Sequence, residues 1–118
     1  MTISALINIV LPAWHFDATV HFYRDILALP IYHDAAHSCF LKIGEVYLAI
    51  YPTSAQDPLG PTGRSFYLDF AVDDRDEMVE HLATAGVEIT RVWDDHVGRF
   101  ALVADPEGNW IELIEYER

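Results

Sequence analysis

Two hydrophobic periods alternate along this chain, and they recur in the same order in its two halves. Ala5 to Leu11 is an apolar run of strand length, interrupted by Pro12-Ala13-Trp14-His15-Phe16. Val20, Tyr23, Ile26 and Leu27 then fall at the spacing of one helix face. A helix is therefore predicted from an Asp17 N-cap to about Ala28, with Pro30 stopping it. Strand-length runs follow at Ile31 to His33, Ser38 to Ile43 and Val46 to Tyr51, the last two turned by Gly44-Glu45.

The second half repeats the plan. Ser65 to Val72 reads as a strand with Phe66, Leu68, Phe70 and Val72 on the helix side and Tyr67, Asp69 and Ala71 on the other, because strand residues two apart share a face. Asp74-Arg75-Asp76-Glu77 forms a capping box for a helix that ends at Gly86. Strands are predicted at about Val87 to Trp93, Phe100 to Ala104 and Trp110 to Tyr116. The turn Asp105-Pro106-Glu107-Gly108-Asn109 joins the last two, Pro106 presetting φ and Gly108 or Asn109 accepting a positive one. Pro52 to Gly63, with three prolines and two glycines, reads as a mobile linker. It lacks the G-x-G-x-x-G spacing of a phosphate cradle.

The expected fold class is thus α+β. Two βαβββ modules, about 1–52 and 65–118 with a linker at 53–64, form one domain over 1–118, a curved mixed sheet around a cavity with helices outside. That concavity is the default place for a ligand.

Composition narrows the partners. Seven basic against 19 acidic residues give a net charge of −12, which repels nucleic-acid phosphates and anionic membrane surfaces. No apolar run reaches the roughly 20 residues of a membrane span, and Met1-Thr2-Ile3 lacks the basic start of a signal peptide, so the expected address is cytoplasmic. Cys39, the single cysteine, lies in a strand-like run and reads as a buried structural thiol.

The best pointer to a site is Glu112. A carboxylate between Trp110, Ile111, Leu113 and Ile114 is costly unless it faces water, a cation or a ligand cavity. Alternation places Trp110, Glu112 and Ile114 inward, with Tyr67 and Asp69, with Leu6, Asn8 and Val10 of the first strand, and with Tyr47, Ala49 and Tyr51 of the fourth. The candidate ligand-binding set is Asn8, Tyr47, Tyr51, Tyr67, Asp69, Trp110 and Glu112. Rings around two carboxylates suit a planar or cationic organic molecule, and crowded carboxylates raise each other's proton affinity. A purely structural reading is that the rings fill the concave side while Asp69 and Glu112 pair with Arg99, Arg91 or Lys42.

Phe22-Tyr23-Arg24-Asp25-Ile26-Leu27, Phe70-Ala71-Val72-Asp73-Asp74 and Asp105 through Leu113 occur in an order that resembles the vicinal oxygen chelate superfamily. That group includes glyoxalases, extradiol dioxygenases, metal-dependent antibiotic-modifying enzymes and bleomycin-resistance binding proteins. The resemblance covers essentially the whole chain and implies a homodimer. In the metalloenzymes, a divalent ion is held from the first, fourth, fifth and eighth strands. Those positions fall here at about Asn8, about Ala49, Tyr67 and Glu112, so only Glu112 matches. No cofactor is expected, and no metal at that position. The resemblance implies a metal-free small-molecule binding protein of the bleomycin-resistance type. The alternative is a glyoxalase- or dioxygenase-like enzyme, with a relocated divalent metal or with Glu112 as general base and Tyr67 as proton donor or oxyanion partner. A third reading is a partner-binding module that keeps only the scaffold.

Overall fold

Both halves of the chain build a four-stranded sheet from the same succession of elements. The computed structural model describes residues 5–54 and 68–117, and the chain divides into units of residues 1–62 and 63–118, each described by itself. In the first unit β1 (Asn8–Ala13) is followed by α1 (Phe16–Val20), a π-helical segment (His21–Ile26), β2 (Ile31–Ala35), β3 (Ser38–Ile43) and β4 (Val46–Pro52). In the second, β5 (Leu68–Ala71) precedes α2 (Arg75–Thr84), β6 (Arg91–Asp94), β7 (Gly98–Ala104) and β8 (Trp110–Tyr116). The sheet orders are β1-β4-β3-β2 and β5-β8-β7-β6, with β1/β4 and β5/β8 parallel and the other pairs antiparallel. The fold is α+β, two βαβββ modules with mixed sheets.

Alternation sorts each sheet into a helix-covered face and an opposite face. In the first unit Cys39, Leu41, Leu48 and Ile50 are fully buried, and the ladder places them on the side that carries Ile9 and Leu11. Burial pushes the Cys39 thiol up from its ordinary value, as expected of a structural cysteine. In the second unit Ala101, Val103, Ile111 and Leu113 form the equivalent buried layer, with α2 lying against β7 and β8.

Three local readings are corrected. The first strand starts at Asn8 and runs through Pro12 to Ala13. Pro12 is tolerated because the carbonyls of Ile7 and Ala13 accept from Tyr47 and Thr53, which assigns the odd positions of β1 to the ladder and turns the missing N–H of Pro12 away from β4. The first helix has His15 at its N-cap, without a side-chain hydrogen bond, and Asp17 inside its first turn. It passes into the π-helical segment, where the Leu27 N–H donates to the Phe22 carbonyl at 2.9 Å. The wider winding lets the consecutive Phe22 and Tyr23 both bury, their rings edge-to-face at 5.0 Å. Ile26 and Leu27 are only half-buried, and Ala28 leaves the helix at φ 56°.

The third correction concerns β6, which starts at Arg91 and not at Val87. Val87 is used to close α2. Its N–H reaches the Leu82 carbonyl while that of Gly86, at φ 86°, reaches Ala83, the paired bonds of a Schellman cap. At the other end the N-cap half of the expected box forms, Asp74 accepting from the Glu77 N–H at 3.0 Å.

Candidate functional site

Glu112 is positioned by a turn that one buried carboxylate organises. Asp105 Oδ1 accepts from the N–H groups of Glu107 at 2.9 Å and Asn109 at 2.8 Å, and its Oδ2 accepts from Asn109 Nδ2 at 2.9 Å. Gly108 takes φ 84° and donates to the Asp105 carbonyl. With the turn held, Ala104 lies opposite Trp110 and Leu102 opposite Glu112. The parallel ladder on the other side of β8 sets Asp69 opposite Glu112.

Ile111 and Leu113 are buried toward α2, so Glu112 lies on the opposite face, where it is half-buried and Asp69 is exposed. Neither carboxylate makes an ion pair or side-chain hydrogen bond with another described residue. Burial raises the proton affinity of Glu112, and the charges of Asp69 and Asp95 raise it further. Burial does the same to Asp69. Asp95 is engaged in the β6–β7 turn, accepting from the Val97 and Gly98 N–H groups.

Among the described residues these carboxylates do not pair with an arginine. Arg99 lies opposite Glu115, on the α2 side of the sheet, and pairs with Asp76 at 3.0 Å and Asp94 at 3.6 Å. Arg91 is on the Glu112 side but two strands away, its guanidinium 4.7 Å from the centre of the Trp93 ring. Trp93 in turn stacks on Phe100 with ring centres 5.0 Å apart and planes 1° from parallel. Lys42 is exposed on β3 of the first unit.

In the first unit Asn8, Tyr47 and Tyr51 share a sheet face, as alternation predicts. Sequence reasoning missed three ring-bearing members of that face, Tyr32, His33 and Phe40. Between Ile31 and His33 the β2–β3 register slips by one residue. The bulge brings the consecutive Tyr32 and His33 over the same surface, Tyr32 against Tyr47 at 4.6 Å and His33 against Phe40 at 6.4 Å. Phe40 continues to Tyr51 at 5.7 Å. Strict alternation separates Tyr32 from His33, so only the structure joins them. Tyr67 lies outside the described residues, as do Phe66 and most of the linker expected at 53–64.

A buried cation was also missed. Arg75, the lone base in an acidic run, is 4% exposed. It donates to the carbonyls of Phe100 at 2.8 Å and Trp93 at 3.2 Å and to Asp94 at 2.9 Å, while Asp76 holds its Nε. These bonds fasten the start of α2 to β6 and β7 and are structural.

Two open grooves lie elsewhere. One of about 480 Å³ runs along Ala71, Asp73, Asp74, Glu77, Met78 and His81 in the second unit. Another of about 520 Å³ runs along Trp14, His15, Phe16, Ala36, His37 and Pro52 in the first. Neither takes in Glu112. Among the described residues no group of three or more His, Cys, Asp or Glu side chains is gathered as a metal site, and no helix is long and apolar enough to cross a membrane.

Known structures share this architecture across nearly their whole length. Lactoylglutathione lyase from Agrobacterium tumefaciens is 23% identical with a TM-score of 0.74, over 98% of this chain and 96% of that one. TnmS3, an antibiotic binding protein from Streptomyces sp. CB03234, is 22% identical with a TM-score of 0.77, over 99% of both chains. A bleomycin-binding protein complexed with bleomycin is 26% identical with a TM-score of 0.67, over 98% of this chain and 100% of that one. Among curated proteins no sequence matches. The profile of one family matches residues 6–113, and with that match and the paired βαβββ modules the chain belongs to the Glyoxalase/Bleomycin resistance protein/Dioxygenase superfamily.

Proposed function

We propose that the chain binds a small aromatic cation against Asp69 and Glu112 and holds it without chemical change. The observation that carries this reading is the adjacency of two carboxylates whose charge no described side chain balances. A ligand cation supplies the missing counter-charge, the net charge of −12 steers it inward, and the Trp110 ring two residues from Glu112 on the same face offers a stacking surface. The bleomycin-binding and antibiotic-binding structures support it as relatives in fold whose ligands are antibiotics.

A divalent ion at the family's metalloenzyme position does not fit the donor set. The four positions carry an amide (Asn8), a methyl group (Ala49), a phenol (Tyr67) and one carboxylate (Glu112), where such ions call for imidazole and carboxylate donors. A cytoplasmic homodimer is the setting that goes with this reading, and sedimentation of the purified chain tests the assembly.

One observation favours catalysis as a second reading. A glutamate whose proton affinity is raised by burial and by the neighbouring charge of Asp69 is suited to general acid–base work, with Glu112 as base and Tyr67 as its proton-donating partner. Turnover, or stoichiometric metal in protein purified without chelator, would select it.

The test of the first reading is a fluorescence-polarisation titration with rhodamine 123, a flat organic cation. Wild type binds, and Glu112→Gln weakens binding by about tenfold, the equivalent of ~1.4 kcal/mol. Equal affinities in the two proteins would overturn the reading.

A further inference from the structure

The same sheet face carries a positive charge at a fixed separation from the two negative ones. Ladder pairs place Asp69 opposite Glu112, Glu112 opposite Leu102 and Leu102 opposite Arg91, so these four residues form one row across β5, β8, β7 and β6. Neighbouring strands are about 4.8 Å apart, which puts the Glu112 and Arg91 backbones ~9.6 Å apart, with the apolar Leu102 between them. In the adjacent row, Ala71, Ile114, Phe100 and Trp93 are aligned in the same way. The face therefore has an acidic edge, an apolar middle and a basic edge.

Arg91 is exposed at the β6 edge of this face. Its guanidinium lies over Trp93, whose ring also stacks parallel to Phe100. No carboxylate among the described residues pairs with it, although the chain has 19 acidic residues and its neighbours Arg75 and Arg99 each pair with two. A guanidinium lying over an indole face, with no carboxylate on it, has N–H donors to offer an incoming anion.

We propose that the molecule this face takes is amphoteric: a cationic end against Asp69 and Glu112, a flat apolar body over Leu102, and a carboxylate or comparable anion on Arg91. The inference rests on the cation-binding reading above and narrows its ligand class. Charge alone would not produce this preference, because a chain of net charge −12 favours a pure cation over a zwitterion at long range. A local cation is required to reverse that order.

Rhodamine 110 and its methyl ester, rhodamine 123, share one xanthene cation and differ in a free against an esterified carboxyl group. Polarisation titrations of both dyes are run on wild type, Arg91→Gln, Arg91→Lys and Glu112→Gln, with each variant's fold checked by its melting temperature. Wild type is expected to prefer rhodamine 110 by about fivefold or more. Arg91→Gln brings the ratio to about one, Arg91→Lys retains part of the preference, and Glu112→Gln weakens both dyes. Glu112-dependent binding with equal affinity for the two dyes, or a preference that survives Arg91→Gln, overturns this inference while leaving cation binding intact. Binding of neither dye to wild type overturns both.

Discussion

Asp69 and Glu112 face each other across the parallel β5–β8 ladder, on the side of the sheet turned away from α2, and no basic side chain among the described residues neutralises either. A protein that needed only a filled sheet would place apolar residues there, as it does at Ile114 and Phe100 on the same face. Leaving like charges adjacent is a cost carried in the unliganded state, and its sign can be measured.

Burial, then the charge of Asp69, favours the protonated form of Glu112, so the folded state holds that proton to higher pH than the unfolded chain does. Stability contributed by this group is therefore complete at acid pH and declines as pH rises from the ordinary glutamate range through the raised folded value. Glu112→Gln is expected to raise the melting temperature at pH 7, with the gain shrinking toward zero as pH falls below the ordinary range. A variant less stable than wild type at pH 7 would mean that Glu112 has a stabilising partner.

Arg75 tests how the second unit is fastened. Replacing it with Met removes the side-chain donor to the carbonyls of Trp93 and Phe100 and to Asp94, and the expected loss is about 2–3 kcal/mol in urea unfolding. Because two of its bonds go to the backbone of β6 and β7, Arg75→Lys recovers only part of the loss.

Much of this arrangement was legible in the residues and some was not, for reasons that differ by element. The boundaries of β8 and β3 and the face of Glu112 follow from strict alternation between special turns, where local chemistry and sheet pairing agree. The end of α2 was legible because Gly86 sits where a Schellman cap demands a positive φ. The π-helical segment was not, since Val20, Tyr23, Ile26 and Leu27 fit a regular helix equally well and only the sheet beneath selects Phe22 for burial. The β2 bulge was hidden for the same reason, and with it the placement of Tyr32 beside His33. Asp74-Arg75-Asp76-Glu77 fits a capping box, and nothing local indicates that β-strand carbonyls await the Arg75 guanidinium.

Asp105 links the turn to the site. Its carboxylate accepts three N–H groups, two of them from the backbone, so Asp105→Ala is expected to lower stability by about 2 kcal/mol in chemical denaturation. Rhodamine 123 affinity should fall with it, because β8 loses the anchor that sets Glu112 opposite Leu102. Undiminished affinity in a folded Asp105→Ala protein would separate the turn from the site.

Calorimetry reaches the carboxylate pair most directly. Rhodamine 123 binding is measured at a pH between the ordinary glutamate value and the raised one, in two buffers of different ionisation enthalpy. A cation that displaces the Glu112 proton makes the observed heat depend on the buffer in wild type, and that dependence vanishes in Glu112→Gln. Binding to wild type with the same heat in both buffers would show that no proton leaves, and the cation site at Asp69 and Glu112 would have to be abandoned.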